Sequence, residues 1–285
     1  MLTTLREILA PARREHYAVP AFDCSEDVMV RAILETCEEL RAPVILMCLL
    51  PELEGNGIVY VSRLVRGVAE HHKIPVVLHL DHATELDLVK AAIDQGFTSV
   101  MIDGSQLPLA ENIRLTRATV ELARPHGISV EAELGHVGGM DLEATVSSES
   151  VLTDPGEVAR FVDETDVDAL AVSIGTSHGV YRSRPTLSIE RLQELHAASR
   201  VPLVLHGGSG TPEDQVQAAV CNGICKVNIY ADCRIAMARG LHESAAALRR
   251  EDPLPTEMFG PIKQGVCRAV AEKVRLLYAA GRAAC

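Results

Sequence analysis

Three histidines in this 285-residue chain each close an apolar run: His82 after PVVLHLD, His178 after ALAVSIGTS, and His206 after PLVL. Three imidazoles are the ligand count of a catalytic zinc site, which keeps one position open for substrate. A single histidine on an apolar strand is more often a hydrogen-bonded core residue. Three with the same ending point to a shared metal. Asp81 stands beside His82, and a carboxylate next to a metal ligand is well placed to move a proton at a substrate oxygen. Glycines follow two of the histidines at once, as Gly179 after His178 and as Gly207 and Gly208 in HGGSG around Ser209. Glycines let the backbone approach a ligand and turn N–H groups toward an anion. A helix expected to start near Thr211-Pro212, capped by the threonine, would add the positive end of its dipole, so a phosphate cup is expected here. Glu131 and Glu133 share one face of a strand and Asp103 ends another. Carboxylates inside a sheet are costly unless paired, metal-bound or functional.

The elements that must position these residues repeat. Eight short apolar runs end at or near Asp23, Leu49, His82, Asp103, Glu133, His178, His206 and Asn228. Between them lie amphipathic segments with helix signals: Ser25 as a cap before DVMVRAILETCEELR, Gly96 after ELDLVKAAIDQ, an Asp154-Pro155 start, and a Ser188 cap. Strand and helix alternate from residue 19 to about 245, and a closing helix follows. Eight repeats predict a (β/α)8 TIM barrel of single-domain type over 1–285, with function at the C-terminal strand ends. Two stretches break the rhythm on that side, 136–154 and 178–187, and long loops there read as lids or binding loops.

Composition narrows the partners. Net charge is −12, which argues against nucleic acid, since that partner wants a basic surface. An anionic substrate then has to be held by a local device. The amphipathic, charged N-terminus predicts no signal peptide, and no stretch approaches the length of a membrane span. The eight cysteines form no CxxC pair, and Cys37 and Cys48 fall in a predicted helix and strand. Reduced thiols and a cytoplasmic location are expected.

With these motifs in order, the chain resembles the class II, zinc-dependent ketose-bisphosphate aldolases, the family of the fructose-bisphosphate and tagatose-bisphosphate enzymes. AVPAF, LRAPVIL, LHLDH, VEAELG, GTSHG, LHGGSG and KVNI carry the resemblance over nearly the whole chain, and the short length is closer to the tagatose-bisphosphate branch. The resemblance implies Zn2+ on His82, His178 and His206, with Asp103 and Glu133 beside it, where the ion can take an alternative position. It implies Asp81 as the proton donor and acceptor at the C4 hydroxyl, with Glu133 as a further catalytic carboxylate. It also implies a dihydroxyacetone phosphate pocket at Gly179, Gly207, Gly208, Ser209 and Asn228, where a monovalent cation (Na+ or K+) often sits. Homodimers or homotetramers are common in the family.

The departures fall on substrate contacts. Asp23 stands where the family usually has Asn, Leu49 where it has Ser, and Tyr230-Ala231 where a phosphate-facing Thr completes the pattern. Late in the chain Asp252-Pro253-Leu254 replaces an Asp-Pro-Arg, and leucine cannot replace a bidentate arginine. The expected activity is therefore reversible cleavage of a phosphorylated ketose to dihydroxyacetone phosphate and an aldehyde other than glyceraldehyde 3-phosphate. That aldehyde either lacks a phosphate or carries another anion, with Arg182 or Arg184 to recognise it. Two alternatives remain at this point: an aldolase with a non-phosphorylated or different ketone donor, and a non-catalytic sugar-phosphate-binding barrel or accessory subunit.

Overall fold

A computed structural model describes residues 1–139, 150–179 and 184–283. Eight parallel strands close into a barrel in the order of the chain: β1 (Val19–Asp23), β2 (Val44–Cys48), β3 (Val76–Ala83), β4 (Ser99–Ile102), β5 (Ser129–Leu134), β6 (Ala169–Val172), β7 (Leu203–Leu205) and β8 (Ile224–Ile229). β8 pairs with β1 through Ala21 opposite Asn228, so no edge is left open. Nearly every strand residue is buried, as parallel strands covered on both faces must be.

The helices follow from the amphipathic segments. α1 (Leu5–Glu15) precedes β1, with Thr4 and Glu7 forming a capping box. The others are α2 (Asp27–Glu39), α3 (Leu50–Leu53), α4 (Gly57–Ala69), α5 (Leu86–Asp94), α6 (Leu109–Ala123), α7 (Pro155–Thr165), α8 (Ile189–Ala198), α9 (Glu213–Cys221), α10 (Ala231–Ala247) and the closing α11 (Pro255–Leu276). Two expected caps hold: Asp154 accepts from the Gly156 amide and Ser188 from the Arg191 amide.

Two do not. α2 begins after Glu26, with no side-chain cap, instead of on Ser25. α9 begins after Pro212, and Thr211 spends its hydroxyl on the Gly207 carbonyl instead, 3.0 Å away. That bond folds the HGGSG turn back on itself, a stronger local use of the hydroxyl than capping. β6 is also shorter than its apolar run. It stops at Val172, and His178 is reached through a turn in which Gly175 takes φ +113°. Of the two long loops, residues 140–149 and 180–183 lie outside the described residues. The flanks of the first are tied down, with His136 bridged to Val151 and Gly139 to His178.

Candidate active site

Asp81 and His82 are chain neighbours, and alternation along a strand would point them to opposite faces. The structure avoids this with an irregularity near the end of β3. The β3–β4 register shifts between Leu80 and Ala83, and His82 takes a left-handed backbone with φ +47°. A non-glycine residue in that region is held against a steric cost and is often found at functional sites. Both side chains consequently face one cavity at the strand ends.

The three histidines meet there. His82, His178 and His206 each offer a ring nitrogen, and these atoms lie within 4.8 Å of one another. His82 Nε2 and His206 Nδ1 face each other at 2.9 Å. Their outer nitrogens are held by carboxylates: His82 Nδ1 meets Asp103 Oδ2 at 2.9 Å, and His206 Nε2 meets Glu131 Oε1 at 3.0 Å. Carboxylates behind ligating imidazoles fix ring orientation and tautomer at metal centres. Burial, with His82 and Lys226 nearby, holds His206 well below the ordinary histidine range, so its imidazole is neutral. At His82, burial acts in the same direction, but Asp81 and Asp103 outweigh it and raise its affinity for positive charge. Ring nitrogens converging where carboxylates favour positive charge form a donor set suited to a divalent cation. A second group, His82, Asp103 and Glu133, also brings its donor atoms within 4.8 Å. Glu133 is wholly buried. Its Oε1 accepts the Val137 amide, while Oε2 has no hydrogen-bond partner among the described residues and lies 3.5 Å from His206 Nδ1. Burial and the Asp103 charge push this carboxyl well above its usual range.

Asp81 is oriented from β8. The Asn228 amide nitrogen donates to both its oxygens, at 3.2 and 3.3 Å, which leaves Asn228 Oδ1 buried without a partner among the described residues. Both groups line an open cavity, together with the histidines His82 and His178. Gly179, Gly207 and Ser209 line it as well, as do Asp23, Leu49, Tyr230 and Ala231. Gly208 is adjacent but its N–H already donates to the Asn228 carbonyl at 3.0 Å, and a Cβ there would meet Val227 at 2.4 Å. It permits β7 and β8 to approach closely. Ser209 Oγ accepts the Tyr230 and Asp232 amides and so sits over the start of α10. Arg182 lies outside the described residues. Arg184 is exposed and pairs with Asp214 at 3.3 Å.

Three further residues belong to the site. Lys226, fully buried, bonds both oxygens of Glu131 at 3.0 and 2.7 Å. It lies two residues before Asn228, so strand alternation alone puts it on the same inward face. Arg234 joins the cavity wall one turn into α10, with its guanidinium 5.1 Å from the Tyr230 ring centre. Glu52, from α3, accepts a 2.6 Å bond from the Tyr230 hydroxyl. No local signal marks Arg234 or Glu52.

A closed eightfold barrel with three histidines, a buried acid and glycine turns at its C-terminal mouth defines a TIM-barrel protein with a candidate metal centre. The family model for class II fructose-bisphosphate aldolase matches residues 3–282, and the chain belongs to that family, whose members are carbon–carbon lyases. Among curated relatives, the fructose-bisphosphate aldolase of Geobacillus stearothermophilus is 38% identical, over 99% of both chains. That of Giardia intestinalis is 36% identical, over 99% of this chain and 94% of its own. Among solved structures, the YdjI aldolase of Escherichia coli K12 superposes with a TM-score of 0.89 at 31% identity over the full length of both chains. An aldolase described as a putative fructose-1,6-bisphosphate enzyme from Coccidioides immitis gives a TM-score of 0.89 at 29% identity, over 98% of this chain and 97% of that one.

Proposed function

We propose that this protein is a zinc-dependent aldolase that reversibly cleaves a phosphorylated ketose to dihydroxyacetone phosphate and an aldehyde other than glyceraldehyde 3-phosphate. The observation that carries this reading is the convergence of His82, His178 and His206 beside Asp81 in one cavity. A zinc ion on these histidines would polarise the ketose carbonyl and stabilise the negative charge that develops on the donor half.

The chain's own residues account for the rest. Asp81, held by the Asn228 amide, takes the proton of the C4 hydroxyl as the C3–C4 bond breaks. The C4–O bond becomes the carbonyl of the departing aldehyde, and the electron pair of the broken bond stays on C3 until a proton passed by Glu133 completes dihydroxyacetone phosphate. In the synthetic direction Asp81 returns the same proton. Asn228 Oδ1, left without a donor, faces a hydroxyl of the donor half. Glu133 is a second buried carboxyl, available for proton transfer or, with His82 and Asp103, for holding the ion in an alternative position. Gly179, Gly207 and Ser209 and the start of α10 form the phosphate end, and Arg234 supplies a cation beside it. Charge-assisted contacts of this kind suit a phosphate in a protein whose overall charge is negative. A sodium or potassium ion is proposed in the same pocket, and a homodimer or homotetramer as the assembly.

Location follows the same reading. Among the described residues no helix is long and apolar enough to cross a membrane, and the described cysteines stand as free thiols, which supports a reducing, cytoplasmic setting. The decisive test is exchange of a C3 proton of dihydroxyacetone phosphate with deuterated water by the zinc-loaded protein, without any aldehyde. Exchange that stops on chelation is expected, and no exchange would overturn the proposal.

A further inference from the structure

One wall of the cavity carries polar atoms that the cleavage chemistry does not use. Asp23, the last residue of β1, is 3% exposed and lines the cavity, yet its Oδ1 is buried with no hydrogen-bond partner among the described residues. Behind it, Tyr230 reaches from the end of β8 across the mouth of β1 and donates to Glu52 Oε1. Glu52 Oε2 is likewise buried and without a partner. Leu49 completes this side of the cavity and offers no hydrogen-bonding group. Unsatisfied buried acceptors are rare and costly, and Asp23 Oδ1, on the cavity lining, awaits a donor from a ligand.

The charge on this wall narrows what the ligand is. Burial, then the charge of Asp81 and then that of Glu52, make a further negative charge at Asp23 costly. A phosphate or carboxylate brought to the same wall would meet these carboxylates in a setting that screens charge poorly. Arg234 is the single lysine or arginine among the described residues that line the cavity, and it is stacked on Tyr230 beside the phosphate end, in the first turn of α10. A hydroxyl, by contrast, both donates and accepts, so it pairs with a carboxyl in either protonation state. The strand order sets the direction: the glycine turns lie after β6 and β7, the reacting groups on β3 and β8, and this wall after β1 and β2.

We infer, resting on the aldolase reading above, that the β1–β2 wall selects an uncharged, polyhydroxylated aldehyde, with Asp23 accepting its hydroxyls and the Tyr230-held Glu52 behind it adding negative charge to this side. Specificity then comes as much from repulsion of anionic aldehydes as from attraction of neutral ones.

The test runs the reaction in the direction of synthesis. Zinc-loaded protein receives dihydroxyacetone phosphate and matched acceptors, glyceraldehyde against glyceraldehyde 3-phosphate and erythrose against erythrose 4-phosphate. The neutral member of each pair is expected to show a kcat/KM at least about tenfold higher. Asp23→Asn and Glu52→Gln are each expected to shrink that ratio about tenfold, by removing an acidic group while keeping the shape. A wild-type preference for the phosphorylated acceptor, or a ratio that neither substitution moves, overturns the inference while the aldolase reading stands. Failure of aldehyde-free exchange overturns the aldolase reading, and this inference with it.

Discussion

Lys226 Nζ lies 2.7 Å from Glu131 Oε2 in the barrel interior, and neither residue has any exposed surface. The same carboxylate holds His206 Nε2 at 3.0 Å through its other oxygen. Lys226 also approaches His79 Nε2 at 3.5 Å, and His79 Nδ1 meets Ser99 at 2.8 Å. A metal-ligating side chain is thereby aimed by an ion pair drawn from β5 and β8. Breaking the pair leaves a charge buried with no compensation.

Lys226→Met should therefore destabilise the fold by about 3–5 kcal/mol. Lys226→Met with Glu131→Gln should recover part of that loss, because no bare charge remains. Chemical denaturation of the two variants measures the difference. Glu131→Gln alone should also weaken zinc binding by about 10- to 100-fold, read by competition with a chelating dye.

Asp81→Ala should retain zinc while losing turnover by about 10²- to 10⁴-fold, the usual worth of a positioned acid–base group. Metal analysis and a cleavage assay on one preparation check both halves. Unchanged turnover would remove Asp81 from the mechanism.

Chelation should abolish cleavage, and zinc or cobalt should restore it. Ligand binding to the native state alone also raises its stability, so the zinc-loaded protein should melt higher than the chelated one. Full activity of a metal-free preparation would contradict the assignment of the three histidines.

Arg234→Ala should raise KM for a ketose phosphate by about tenfold or more, with a smaller change in kcat, as expected for loss of a charged hydrogen bond to a group remote from the broken bond. Steady-state kinetics with the best ketose substrate would show the split. An unaltered KM would place the phosphate elsewhere.

Gly207→Ala should disrupt the HGGSG turn. Gly207 has φ +68°, and a Cβ there would sit 2.5 Å from the Ser177 carbonyl oxygen, a contact with backbone that cannot swing away. A lower melting temperature and weakened zinc binding are the expected outcomes.

Much of this arrangement was legible from residue order. The apolar runs ending at Asp23, His82 and His206 mark strand ends, because a buried parallel strand needs a continuous apolar stretch and the barrel mouth tolerates polar groups. The run ending at His178 is longer than its strand. Its residues beyond Val172 are apolar enough for a strand, yet Gly175 turns the chain away. The misassigned caps at Ser25 and Thr211 show a similar limit, since a hydroxyl near a helix start has several possible acceptors and donors. The neighbours of Lys226, Val227 and Asn228, drew attention to the motif without revealing the lysine's partner.

Sequence by itself determined the architecture and the inventory: eight repeats, three strand-end histidines, an adjacent acid, and glycine turns where phosphate is expected. Local pattern suffices for that, because burial and alternation act residue by residue along the chain. Tertiary structure alone decided which groups meet. Asp81 and His82 share a cavity only because the β3–β4 register slips and His82 adopts a left-handed backbone. Lys226 finds Glu131 across 95 residues, and Tyr230 finds Glu52 across 178. Such pairs depend on how the strands tilt and stagger when the barrel closes, a property of the whole sheet that no single segment encodes.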